Sequence, residues 1–109
     1  MLQALLGSES SERVLIFLLA RNEGYGAEIA RFYGAELYAV QKQLDKLEAG
    51  GVLVSRTAGR TRLYTFDPRY PFLGELKALL EKALSFYPAN LRERLLMNRR
   101  RPRRRGKPL

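Results

Sequence analysis

The 109-residue chain contains neither cysteine nor histidine. That removes disulfides, thiolate and imidazole metal sites, cysteine nucleophiles and every triad with an imidazole base. What can still do chemistry is a set of cations and amides. Gln41 and Lys42 are adjacent in a stretch of helical period, and Arg56, Arg60 and Arg62 crowd around one glycine, Gly59. A glutamine amide pairs bidentately with adenine, lysine reaches guanine or a phosphate, and arginine suits phosphates and minor grooves. The acids Glu23, Glu28, Asp45 and Glu48 are scattered, some at salt-bridge spacing, as Asp45 is three residues after Lys42. Gly24-Tyr25-Gly26 is too short for a phosphate-gripping loop, and no nucleophile elbow appears. An enzyme is not expected, nor is a metal or other cofactor.

The formal net charge is +9, from 20 basic and 11 acidic side chains. Seven of the basic ones, Arg99, Arg100, Arg101, Arg103, Arg104, Arg105 and Lys107, lie in residues 98–109, which hold no acid. The other 13 face all 11 acids, so the charge belongs to a tail on a nearly neutral domain. Interrupted by Pro102 and Pro108, that tail cannot bury apolar surface and is expected to be disordered in isolation. Its natural partners are phosphates of nucleic acid, an anionic membrane or an acidic protein surface. A membrane role needs a second anchor, and no lipidation signal is present. Val14 to Ala20 is too short to span a bilayer and no signal peptide precedes it, so a cytoplasmic protein is expected.

Hydrophobic residues at 46% and charged residues at 28% suit one folded domain. Residues 1–7 form an apolar arm with Leu2, Leu5 and Leu6. Ser8, Ser10 and Ser11 offer N-caps to a helix over 12–21 that is apolar nearly all round, and therefore central. A turn at 22–24 leads to a short helix over 26–33, with Ile29, Ala30 and Phe32 inward, ended by Gly34. The next helix, 36–49, has one apolar stripe of Val40, Leu44 and Leu47. Leu37, Tyr38, Gln41, Lys42 and Asp45 then face outward, with Leu37 also at reach of the stripe and Lys46 among the polar positions. The period falls to two over 52–57 and 61–66, with Ala58-Gly59-Arg60 between: a β-hairpin in which Tyr64 and Phe66 pack inward. Pro71 opens a long helix to about Tyr87, striped by Phe72, Leu76, Leu79, Leu80, Ala83, Leu84 and Tyr87. Pro88 stops it, and an amphipathic extension within 88–97, with Leu91, Leu95 and Leu96 on one side, leads to the tail. The main domain thus covers 8–87.

The ordered set AEIARFYGAELYAVQKQLDKLEAGGVL (27–53) and SRTAGRTRLYTFDP (55–68) resembles the winged helix-turn-helix transcriptional regulators of the ArsR/MarR kind. LLGS (5–8) and YPFLGELKALLEKAL (70–84) extend the resemblance to roughly residues 5–85. It implies a mainly α fold with a β-hairpin wing (α+β) and a C-terminal dimerisation helix. It implies, further, a recognition helix presenting Leu37, Tyr38, Gln41, Lys42, Asp45 and Lys46 to the major groove of double-stranded DNA, and a wing presenting Arg56, Arg60 and Arg62. Arg56 and Lys46 are also placed to pair with Glu48 or Asp45. The long helix, with Leu2, Leu5 and Leu6, becomes the homodimer interface, Tyr87 at its rim with a wet hydroxyl, and the tail cations contact phosphates. Glu36 stands where such families commonly place Ser or Thr as the helix cap. The arsenic-repressor branch senses metals through Cys and His, which this chain lacks, so an effector, if one acts, is an organic ligand or a partner protein. RNA binding, or a protein-interaction adaptor with an incidental tail, are the alternative readings.

Overall fold

In the computed structural model, which describes residues 1–97, the elements run α1 (Gln3–Leu6), α2 (Glu9–Arg21), α3 (Gly26–Tyr33), α4 (Leu37–Ala49), β1 (Leu53–Ala58), β2 (Thr61–Phe66), α5 (Leu73–Ser85) and α6 (Ala89–Leu96). The expectations placed on residues 98–109 lie outside the described residues. Helix α2 is the axis. Ser8 caps it, its hydroxyl oxygen accepting from the Ser11 N–H at 3.0 Å, so the helix starts earlier than position 12. Glu9 and Glu12 in the first turn and Arg21 in the last match the helix dipole. Val14, Leu15, Ile16, Phe17 and Leu18 are each 1% exposed or less, five consecutive residues with no outward side. Such a stretch needs neighbours all round, and α3, α4, β2, α5 and α6 supply them.

Gly34 ends α3 in the left-handed region (φ 65°), which a residue with a Cβ adopts at a cost, and only Ala35 and Glu36 separate it from α4. This is the expected helix-turn-helix. Strands β1 and β2 pair antiparallel from Leu53↔Phe66 to Ala58↔Thr61, leaving Gly59-Arg60 as a two-residue turn. The first strand begins after Val52, whose N–H is engaged by the Leu47 carbonyl at 3.0 Å.

The expectations for three dimer-face residues change once the chain is folded. Leu80 and Ala83, assigned to a dimer face, are 0% and 4% exposed within the protomer, because α5 packs directly on α2. The Tyr87 hydroxyl is not wet: it donates to Glu12 Oε2. The segment after Pro88, expected as an amphipathic extension, forms α6 and packs on α2. Leu95 is fully buried, and the Arg21 guanidinium donates to the carbonyls of Leu95 (3.0 Å) and Arg94 (2.9 Å), closing the last turn of α6. Among the described residues no helix is long and apolar enough to cross a membrane.

Glu12 ties the arm to this body. It is 4% exposed, and its carboxylate accepts from the Leu2 N–H at 2.7 Å, from the Met1 amine at 3.1 Å and from the Tyr87 hydroxyl. Burial pushes its pKa up, but these donors together bring it below the ordinary 4.5. A carboxyl depressed in the folded state stabilises above its unfolded pKa, and that contribution is lost as pH falls through the folded value. Thermal melts between about pH 6 and pH 3 are therefore expected to show a steeper acid loss in the natural protein than in Glu12→Gln, which starts less stable at neutral pH. Parallel curves would assign the acid sensitivity to other carboxylates.

Candidate functional site

Helix α4 has two unlike sides. Val40 and Leu44 are 1% and 0% exposed against α2 and α3, with Leu47 half-buried beside them. One turn round the cylinder, Tyr38 is 74% and Leu37 52% exposed, and Lys42, Asp45 and Lys46 are exposed as well. The helical repeat produces this division for Tyr38, Lys42, Asp45 and Lys46, whereas Leu37, seven residues before Leu44, lies on the buried row and is exposed at the first position of the helix. Glu36 occupies the N-cap with extended backbone and no side-chain cap bond; its carbonyl accepts from the Val40 N–H at 3.3 Å. Its charge still favours the positive end of α4.

Gln41 does not stand free as an adenine reader. Its Nε2 donates to Asp45 Oδ1 at 3.0 Å, four residues on, and to the Tyr64 hydroxyl on β2, also at 3.0 Å. Gln41 and Asp45 thus hold each other on the front of the helix. Tyr64 and Phe66 are 2% and 6% exposed, packing residues as expected. Burial raises the Tyr64 phenol above its ordinary pKa even though the bond from Gln41 opposes it, so the hydroxyl is protonated near neutral pH.

The hairpin's arginines separate by register. Thr57↔Arg62 and Ser55↔Tyr64 put Arg62 on the face that meets α4, while Arg56↔Leu63 puts Arg56 on the other. Arg62 remains exposed, its Nη1 donating to Ser55 Oγ at 3.0 Å, and Ser55 in turn donates to Glu48 Oε2 at 2.7 Å. Arg60 is exposed in the turn itself. Arg56 pairs with Glu23 at 3.2 Å, not with Asp45 or Glu48, in a pair open enough to water to contribute little. Between α3, α4 and the hairpin lies a cleft of about 190 Å³ lined by Tyr25, Gly26, Leu37, Gln41, Arg62 and Tyr64. The front of α4 and Arg62 therefore border one concavity, with Tyr38 and Arg60 projecting beyond it.

Two features carry no signal in the spacing. The bond from Gln41 to Tyr64 spans 23 residues, and only the strand alternation at Tyr64 marked that residue as inward. Phe86, 66% exposed at the end of α5, lies off the apolar stripe. With Glu12, Tyr33, Tyr87 and Leu91 it lines a cavity of about 310 Å³. The Tyr33 hydroxyl there is buried without a hydrogen-bond partner among the described residues, and burial raises its pKa far above the ordinary phenol value.

No family model matches the chain, and no curated protein matches it in sequence. Solved structures do. The chain is similar to Mb0332 from Mycobacterium bovis, described as a homodimeric winged helix-turn-helix DNA-binding domain of a possible ArsR-family transcriptional regulator. The TM-score is 0.57 at 22% identity, over 82% of this chain and 80% of that one. It is similar to a mutant of ZitR from Lactococcus lactis in apo form, with TM-score 0.55 and 28% identity over 79% of this chain and 68% of that one. It is also similar to the adhesin competence repressor AdcR from Streptococcus pyogenes, with TM-score 0.52 and 17% identity over 86% and 79%. In fold, then, this chain is a winged helix-turn-helix protein with α3 and α4 as its helix-turn-helix and the hairpin as its wing, an architecture it shares with Mb0332, ZitR and AdcR.

Proposed function

We propose that the chain is a sequence-specific regulator of transcription that binds double-stranded DNA as a homodimer. Helix α4 enters the major groove, and the wing lies on the backbone or in the minor groove. One observation supports this above the others: the front of α4, led by the 74% exposed Tyr38, is uncovered by the described residues and stands beside a hairpin that carries Arg60 and Arg62. An α-helix fits the major groove and reads base edges from its first turns. Tyr38 donates to a phosphate or lies against a thymine methyl, Leu37 adds apolar contact, and Lys42 reaches guanine or a phosphate. Lys46 and the wing arginines neutralise phosphates. The description of Mb0332 as a DNA-binding domain agrees with this reading.

The dimer face is the apolar surface left after α5 has packed on α2. Leu5, Phe72 and Phe86 are 67%, 62% and 66% exposed, and Leu2, Leu6, Leu76, Leu79 and Leu84 are half-buried. Pairing there sets two recognition helices about one turn of DNA apart. The cations of 98–109 add phosphate contacts to the folded part, whose own front mixes Lys42 and Lys46 with Glu36 and Asp45.

Binding to a palindromic duplex selected from a random pool tests the reading. Tyr38→Ala is expected to weaken binding by about tenfold while stability changes by less than about 0.5 kcal/mol, as for an exposed residue. Leu44→Ala, on the back of the same helix, is expected to cost about 2–5 kcal/mol of stability. An intact affinity in Tyr38→Ala would take α4 out of the groove.

Salt dependence separates domain from tail. With about three phosphate contacts per folded protomer, the dimer without 98–109 is expected to show a log–log slope near −5. The full chain is expected to be steeper by several units, and to lose affinity for all sequences alike when cut after Met97. An unchanged slope after truncation would remove the tail from DNA binding.

A further inference from the structure

Tyr64 is attached to the body of the protein twice. Its backbone exchanges two hydrogen bonds with Gly24, the Tyr64 N–H donating at 2.8 Å and the Gly24 N–H at 3.1 Å, so the turn after α2 pairs with the outer edge of β2. This approach requires glycine: a Cβ at position 24 would lie 2.8 Å from Phe17 Cε1, in a ring that is fully buried. The side chain makes the second attachment, its hydroxyl accepting from Gln41 Nε2 at 3.0 Å. The same Nε2 donates to Asp45 at 3.0 Å, and Gln41 Oε1 sits where a Cβ on Gly26 would come within 2.6 Å. One half-buried amide thereby touches α3, α4 and β2, with an exposed donor bond to Asp45 and a part-buried one to Tyr64.

We infer that Gln41 is a positioning residue, a strut that fixes the angle between α4 and the wing through the Tyr64 hydroxyl, and not a reader of bases. The inference rests on the proposal that helix and wing grip one duplex together. Two contacts on one rigid body bind as a unit, whereas a wing that swings relative to α4 must be ordered at the moment of binding. Asp45 serves the same end by orienting the amide from one turn along the helix. The hairpin has no other side-chain bond to the front of α4 among the described residues, since the chain from Arg62 through Ser55 ends on Glu48 near the helix's last turn.

Tyr64→Phe removes the hydroxyl and keeps the ring in the core; Gln41→Ala removes the other end. In the full-length protein without DNA, residual dipolar couplings are expected to show the hairpin amides reoriented or averaged relative to α4, in the same way in both variants. On the selected palindrome, each single variant is expected to bind about fivefold more weakly, the scale of one hydrogen bond, and the double variant no more weakly than either. The preference at every base pair stays that of the natural protein. A merely packing role would leave the couplings unmoved, and unchanged couplings in both variants overturn the strut. So does a Gln41→Ala variant that loses its preference at one base pair while Tyr64→Phe does not, since Gln41 is then a reader. If the natural protein retards no duplex, the DNA-binding proposal fails and the dipolar couplings alone decide the strut.

Discussion

The constraint on which the rest depends is the burial of α2. Five successive side chains, Val14 to Leu18, lie out of water on every side of one helix, which no single neighbour can achieve. Helices α3, α4, α5 and α6 and strand β2 are obliged to give α2 an apolar face, and the remaining surface of each is whatever that obligation leaves over. Helix α4 gives Val40 and Leu44, which turns Tyr38 and Lys42 outward. Helix α5 gives Leu80 and Ala83, which leaves Phe72 and Phe86 without cover. The proposed DNA-facing front and the proposed dimer face are in this sense two remainders of one core.

Electrostatics adds little to the front itself. Glu36 and Asp45 stand among Lys42 and Lys46, and Arg56 is paired with Glu23. A folded part with 13 basic and 11 acidic side chains outside the tail binds polyanions weakly by charge alone. In the proposed function, shape and side-chain chemistry on α4 and the wing provide selectivity, and the cations of 98–109 provide strength. That division explains how a near-neutral domain and a strongly basic extension can belong to one function.

Most of the fold was legible because its signals are local. The stripe of Val40, Leu44 and Leu47, the change of period after Gly50-Gly51, the glycine between α3 and α4, and the prolines around α5 each act over a few residues, and the elements lie within two or three residues of the expected limits. What sequence could not supply was the choice of partner across the chain. The stripe on α5 said only that seven residues were apolar on one side; packing on α2 decided that Leu80 and Ala83 belong to the protomer. Tyr87 had the composition of a rim residue, yet a carboxylate buried at Glu12 needs donors, and Tyr87 is one of them. The bond from Gln41 to the Tyr64 hydroxyl was not legible, because Tyr64 lies 23 residues away and no spacing rule links the two. Glu23, not the nearer Asp45 or Glu48, took Arg56 for the same reason.

The central claim is that the uncovered side of α4, with the arginine-bearing wing, is the surface that meets a duplex. Amide chemical-shift mapping of the isotope-labelled full chain, titrated with the selected palindrome, tests it most directly. The account predicts the largest shifts along Leu37–Lys46 and at Gly59–Arg62, with α6 and the middle of α2 nearly unmoved. Shifts confined to residues beyond Met97, or centred on α5 and α6 with the front of α4 unchanged, would contradict it.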